Sequence, residues 1–220
     1  MTTTSGYRNI WARLTEAELA LENALADPDI QAALAPYGYD EARLQEGKDL
    51  FSEGRELAVK QQSEYGQQYG STESLYNSWE EANKSYMNCL KVARIALRDY
   101  TAAEAALMLS GDRKNSFSGW HEQAQTFYGN LLGTPEYLEE MARFGYTQES
   151  ICAEASLVQA VIEANLEQEA RKGLAQDATR SRDDKMDELD QWMSDFKTIA
   201  IMALEPDSQT LEKLGFGAIP

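Results

Sequence analysis

The sequence is short of the residues from which most active sites are assembled. It holds one histidine, two cysteines and five prolines in 220 residues. Cys89 and Cys152 lie far apart and match no metal-binding or redox spacing, so free thiols in the cytoplasm are the simplest account of them. A ferritin-like di-iron centre needs Glu-x-x-His pairs on facing helices. The single histidine, His121, has Ser118 three residues before it, where such a pair requires glutamate. There is no glycine-rich phosphate loop and no Gly-x-Ser-x-Gly elbow. No apolar run approaches the roughly 20 residues that span a bilayer. The opening MTTTSGYRNIWARL has no basic patch followed by an apolar stretch, so no signal peptide is expected. Positive charge is scarce as well: 20 Lys and Arg stand against 37 Asp and Glu, a formal net charge of −17. That balance repels phosphate backbones and anionic membrane surfaces, so neither a nucleic acid nor a membrane is expected as partner. It favours solubility, or a basic partner.

What the sequence does contain is helix. Ala, Leu, Glu and Gln dominate its central segments, and a 43% hydrophobic content supplies a substantial core. Residues 7–26 place Ile10, Leu14, Ala17, Leu21 and Ala24 at spacings of four and three, on one helical face. Asp27-Pro28 then ends one helix and starts another, aspartate as cap and proline at the first position, where its missing N–H costs nothing. Gly38 suits the stop of that short helix, and Asp40 the cap of the next. Tyr39 and Leu44 have the spacing of a hydrophobic staple across that cap. Residues 41–65 read as a third helix burying Leu44, Leu50, Phe51, Leu57 and Ala58, with Gly47 and Gly54 as close-packing points. A break is expected near 66–71. A fourth helix then carries the seam Leu75, Trp79, Ala82, Tyr86, Cys89, Ala93 and Ala96, which suits antiparallel bundle packing. A short helix over 102–109 and a polar linker over 112–116 follow.

The pattern then recurs at an offset of 107 residues. PEYLEEMARFGYT, beginning at Pro135, echoes PDIQAALAPYGYD, beginning at Pro28. Tyr146, Thr147 and Ile151 take the roles of Tyr39, Asp40 and Leu44. Thr134-Pro135 mirrors Asp27-Pro28, and Asn130 matches Asn23. Met186, Leu189, Met193, Phe196, Ala200 and Ala203 restate the fourth-helix seam, and 211–215 answer the short helix. The expected fold is therefore all-α, a helical bundle built from two tandem copies of a roughly 107-residue repeat, 1–111 and 112–220. Each copy would hold three long and two short helices, with hairpins near Gly66 and Gly173. The third and fourth helices of both copies could share a four-helix core.

Arg143-Phe144-Gly145-Tyr146-Thr147, Trp192-Met193-Ser194-Asp195-Phe196 and Leu211-Glu212-Lys213-Leu214-Gly215 resemble segments of a family of uncharacterised bacterial proteins, over nearly the whole length. The resemblance implies a bacterial, cytoplasmic, all-helical protein of two repeats. That family carries no assigned activity, cofactor or catalytic residue, so no functional position transfers.

Asp183-Asp184-Lys185-Met186-Asp187 fits the DDxxD pattern that holds magnesium in terpenoid synthases, and carboxylates are suitable magnesium ligands. However, the buried stripe runs through Met186, Leu189, Met193 and Phe196, which turns Asp183, Asp187 and Asp190 towards solvent. The first copy has Tyr76, Asn77 and Glu80 at the matching positions. His121 replaces Leu14 of the first copy and reads as a histidine at a core margin. Gln61 and Gln168 are identical across the copies, with Asn165 one turn before Gln168. Buried, these amides must be paired, and could set helix register or line a polar pocket; splayed into solvent, they are surface residues. Trp79, Tyr86 and Trp192 read as core aromatics with a polar handle. Cys89 aligns with Phe196 and reads as a small buried hydrophobe. No catalytic, cofactor-binding or metal residue is assigned, and no cofactor. The expected function is a non-enzymatic helical scaffold or protein-interaction protein, working with a protein partner or by self-association. The alternative is a small-molecule carrier or sensor with an apolar cavity between the repeats; an enzyme using the Asp183 cluster comes third.

Overall fold

The computed structural model describes residues 3–204 and 209–217, with side chains from residue 10 onward. Among these residues the chain is all-α, without a strand. The helices are α1 (Thr3–Ala26), α2 (Pro28–Leu34) with a 3-10 turn at Ala35–Tyr37, α3 (Glu41–Ala96), α4 (Thr101–Ala106), α5 (Phe117–Leu132), α6 (Pro135–Ala142), α7 (Gln148–Ala203) and α8 (Gln209–Lys213). None of them is long and apolar enough to cross a membrane.

The local signals act as their chemistry dictates. The Asp27 carboxylate accepts from the amides of Asp29 and Ile30, with Pro28 at the first position of α2. Lys213 Nζ also donates to Asp27 at 3.1 Å, and that bond, with the two amides, holds the carboxyl below its usual range. Gly38 and Gly145 sit at φ +83° and +84°, the left-handed region that stops a helix and that side chains resist. Asp40 then receives the amide of Arg43 at 3.0 Å and Thr147 that of Ser150 at 3.2 Å, so both caps start their long helices. Thr134 behaves differently from Asp27. It caps nothing, and its hydroxyl donates back to the Asn130 carbonyl at 3.0 Å.

The expected break after residue 65 does not occur. α3 and α7 each run uninterrupted for 56 residues, so the expected third and fourth helices are one helix and neither hairpin exists. Gly66 and Gly173 have a helical backbone outside the left-handed region that a stop would need. Each glycine weakens the helix by about 1 kcal/mol. With no proline nearby and long helical runs on both sides, propagation outweighs that cost. Ser71 and Thr72 also fold their hydroxyls back onto the Gln68 carbonyl, both at 2.9 Å, and so add no competing turn.

The chain divides into two compact units, one taking it up to Gly66 and again from Gly173, the other comprising Gln67–Lys172. These units and the sequence halves 1–111 and 112–220 divide the chain differently. Each unit draws on both halves, because α3 gives residues 41–66 to the first unit and 67–96 to the second.

In the first unit, α1 buries Ile10, Leu14, Ala17, Leu21 and Ala24 against Leu44, Phe51 and Ala58 of α3, and against Met186, Leu189, Phe196 and Ala200 of α7. The Trp192 ring lies over Gly47, where a Cβ would meet three ring atoms at 2.5–2.7 Å; at Gly54 the nearest atom is the Met186 sulfur at 3.3 Å. Both glycines are thus close-packing points, as their spacing suggests. Tyr39 and Phe196 hold the Trp192 ring at centroid distances of 5.5 and 5.2 Å.

In the second unit the core forms around Tyr86, Cys89, Leu90 and Ala93 of α3, Phe127, Tyr128 and Leu131 of α5, and Ile151, Val158 and Val161 of α7. Asn130 donates to the Ala106 carbonyl at 2.6 Å, as Asn23 donates to that of Lys213 at 2.5 Å in the first unit.

Candidate functional site

The most distinctive surface lies on the second unit, along α3. Between Lys60 and Lys84 that helix carries no basic residue, and from Gln67 to Trp79 its only charged residue is Glu73. Glutamine, serine, glycine, tyrosine and asparagine fill the stretch instead. Tyr69 and Tyr76 are one heptad apart, hence on one helical face, and their exposures are 72% and 69%. Large hydrophobics at that level of exposure are not explained by helix formation, since an outward position is ordinarily given to a charged or short polar side chain.

Below Tyr76 the face deepens into a groove of about 280 Å³ lined by Tyr76, Trp79, Glu80 and Asn83. Trp79 is half-buried and forms its floor. Its ring meets Phe117 edge-on at 5.3 Å and tilts against Trp120 at 5.7 Å, so α5 fixes it from beneath. Trp120 Nε1 donates to Asn83 Oδ1 at 3.0 Å, which holds the asparagine at the far wall. An aromatic floor, an amide wall and the Glu80 carboxylate, with Glu73 one turn before Tyr76, make a shallow, acid-rimmed apolar groove on a helix.

A second feature lies inside the same unit. The Tyr128 hydroxyl donates to Glu154 Oε2 at 3.1 Å, and the Cys89 thiol also hydrogen-bonds that carboxylate. Burial raises Glu154 above the usual carboxylate range, although its bonds to Tyr128 and Cys89 pull the other way. Burial also raises Cys89, with the Glu154 charge adding to it, so the thiol stays protonated and is no nucleophile. Tyr128 and Tyr146 are raised by the same burial and the same carboxylate. Gly47, 107 residues before Glu154, lies under the Trp192 ring in the first unit.

The residues weighed from sequence are dispersed. Asp183, Asp184, Asp187 and Asp190 are all exposed. Asp183 accepts from Arg182 at 2.6 and 3.0 Å, and Asp190 pairs with Arg13 of α1. Among the described residues no group of three or more His, Cys, Asp and Glu is placed to hold a metal ion. His121 is half-buried on α5. Gln61 is 6% exposed and lies in mid-helix, not near a helix end; its Oε1 has no partner among the described residues. Gln168 and Asn165 are half-buried. The Tyr86 hydroxyl accepts from Arg113 at 2.7 Å, tying the 112–116 linker to the core.

Sequence reasoning missed the tyrosine face because it placed a break over it. The signal was available in the charge-poor run and the heptad between Tyr69 and Tyr76. Comparisons with protein-family models, curated proteins and solved structures found no match to this chain.

Proposed function

We propose that the protein is a non-enzymatic, cytoplasmic helical interaction protein that docks a partner on the Tyr69–Tyr76–Trp79 face. The observation that carries this reading is the exposed aromatic pair above an acid-rimmed groove, in a stretch almost free of charge. Interface cores are depleted in charge and enriched in Tyr and Trp, and tyrosine supplies contact area at low entropic cost. The acidic rim and the net charge of −17 select a partner segment that is amphipathic, helical and basic at its margins. They oppose nucleic acid, and they oppose a second copy of this acidic chain as occupant.

The reading includes a chain of two tandem copies of roughly 107 residues. It is supported by the two long helices, whose starts (Glu41, Gln148) and ends (Ala96, Ala203) keep that offset. The matched asparagine bonds and the matched left-handed glycines support it as well. A cytoplasmic location is supported by two free cysteines, one of them exposed.

The test is fluorescence anisotropy of a labelled Leu/Lys amphipathic peptide. Tyr76→Ser, at an exposed position, is expected to keep the circular dichroism of the parent and to bind the peptide about tenfold more weakly. Equal affinity for both proteins, or no binding to either, overturns the proposal. Native mass spectrometry of the purified protein adds the remaining outcome: a stable dimer lost in Tyr76→Ser makes a second copy the occupant and rejects the basic partner.

A further inference from the structure

In a chain this acidic, an arginine normally finds a carboxylate, as Arg13 finds Asp190 and Arg171 finds Glu167. Arg94 and Arg98 do not. Among the described residues neither enters an ion pair; Arg94 Nε donates to the Leu109 carbonyl at 2.6 Å and Arg98 Nε to that of Ile95 at 3.1 Å. Both are exposed, one helical turn apart, Arg94 in the last turn of α3 and Arg98 in the turn that follows it, and both line one cavity of about 500 Å³ in the second unit. Thr101, Ser110 and Glu104 line it too, and Leu97 and Leu109 are buried in its wall. The volume falls in the range of small-molecule sites, about 300–1,000 Å³.

We infer that this cavity binds a phosphate group, free or carried by a small monoester. Each backbone bond uses one N–H and leaves the guanidinium fork for a ligand. Two forks one turn apart present more donors than a planar carboxylate has oxygens to accept, whereas a tetrahedral dianion has three oxygens to share between them and the hydroxyls of Thr101 and Ser110. The dianion also neutralises both guanidinium charges. Glu104 is the one carboxylate in the lining, so the two guanidinium groups leave the lining net positive. The cavity exceeds phosphate alone, which leaves room for an ester group. At the 107-residue offset the sequence has Ile201 and Glu205 in place of Arg94 and Arg98, so the arginine pair does not recur in the sequence there.

The test is a backbone amide NMR titration with inorganic phosphate and with phenyl phosphate, against sodium chloride at matched ionic strength. Saturable shifts confined to residues 94–110 are expected with the phosphates and not with chloride. Tighter binding of phenyl phosphate assigns a monoester, and equal binding assigns free phosphate. Arg98→Gln removes only a local backbone bond and is expected to keep the fold while weakening phosphate at least about tenfold. Arg94→Gln should do the same; if it unfolds, Arg98→Gln decides alone. Shifts equal to those with chloride, or an unchanged affinity in Arg98→Gln, overturn the inference. Tyr76→Ser is expected to leave phosphate affinity intact, so this site and the peptide face fail or survive separately.

Discussion

At residue scale, two positions carry opposite demands. Gly47 admits the Trp192 ring in the first unit, and Glu154 is a half-buried carboxylate in the second. Replacing Gly47 by alanine gains about 1 kcal/mol of helix propensity. It also drives a Cβ to 2.5 Å from a ring that Tyr39 and Phe196 hold in place. Overpacking of that kind costs about 1–3 kcal/mol, so Gly47→Ala is expected to lower Tm, read by thermal circular dichroism. Glu154 gives a pH signature. Its carboxyl is raised in the folded protein, chiefly by burial, so the folded state holds the proton more tightly than the unfolded chain does. Stability therefore falls as pH rises from the ordinary carboxylate range through the raised value. Glu154→Gln still offers an oxygen to the Tyr128 hydroxyl and has no charge to bury. Urea unfolding across that range is expected to show the variant gaining on the parent as pH rises. Parallel curves would contradict a raised Glu154 carboxyl in the folded protein.

At the scale of elements, helix starts and buried faces were legible, and helix lengths were not. The Asp27-Pro28 cap, the Gly38 and Gly145 stops and the α1 stripe from Ile10 to Ala24 depend on contacts within a few residues, and the structure has them where the spacing puts them. Residues 66–71 continue α3 because a glycine alone does not stop a helix. Gly66 and Gly70 have open space around them, with nothing within 4 Å of a Cβ. They interrupt nothing, because a stop needs a left-handed backbone and new partners for the last carbonyls. The break expected there hid the tyrosine face, and no local signal could reveal the Glu154 cluster, which depends on α3, α5 and α7 meeting. Since the helix is continuous, Gly66→Ala and Gly70→Ala should each stabilise it by up to about 1 kcal/mol, with helical ellipticity retained through the melt. A loss of stability in both would restore the hairpin.

For the whole molecule, the proposed function rests on a contrast between an acidic chain of net charge −17 and a charge-poor aromatic face on α3. The attraction of a basic segment to the acidic rim is screened by salt, while contact with Tyr76 and Trp79 is not. Peptide affinity should therefore fall with added sodium chloride in parent and Tyr76→Ser alike, the gap between them staying constant. The most direct measurement of the central claim is where the Leu/Lys peptide lands, read from backbone amide shifts in the intact protein. The largest shifts are expected at residues 69–83 of α3 and 117–120 of α5. Shifts spread evenly over the acidic surface, or centred on the first unit, would contradict it.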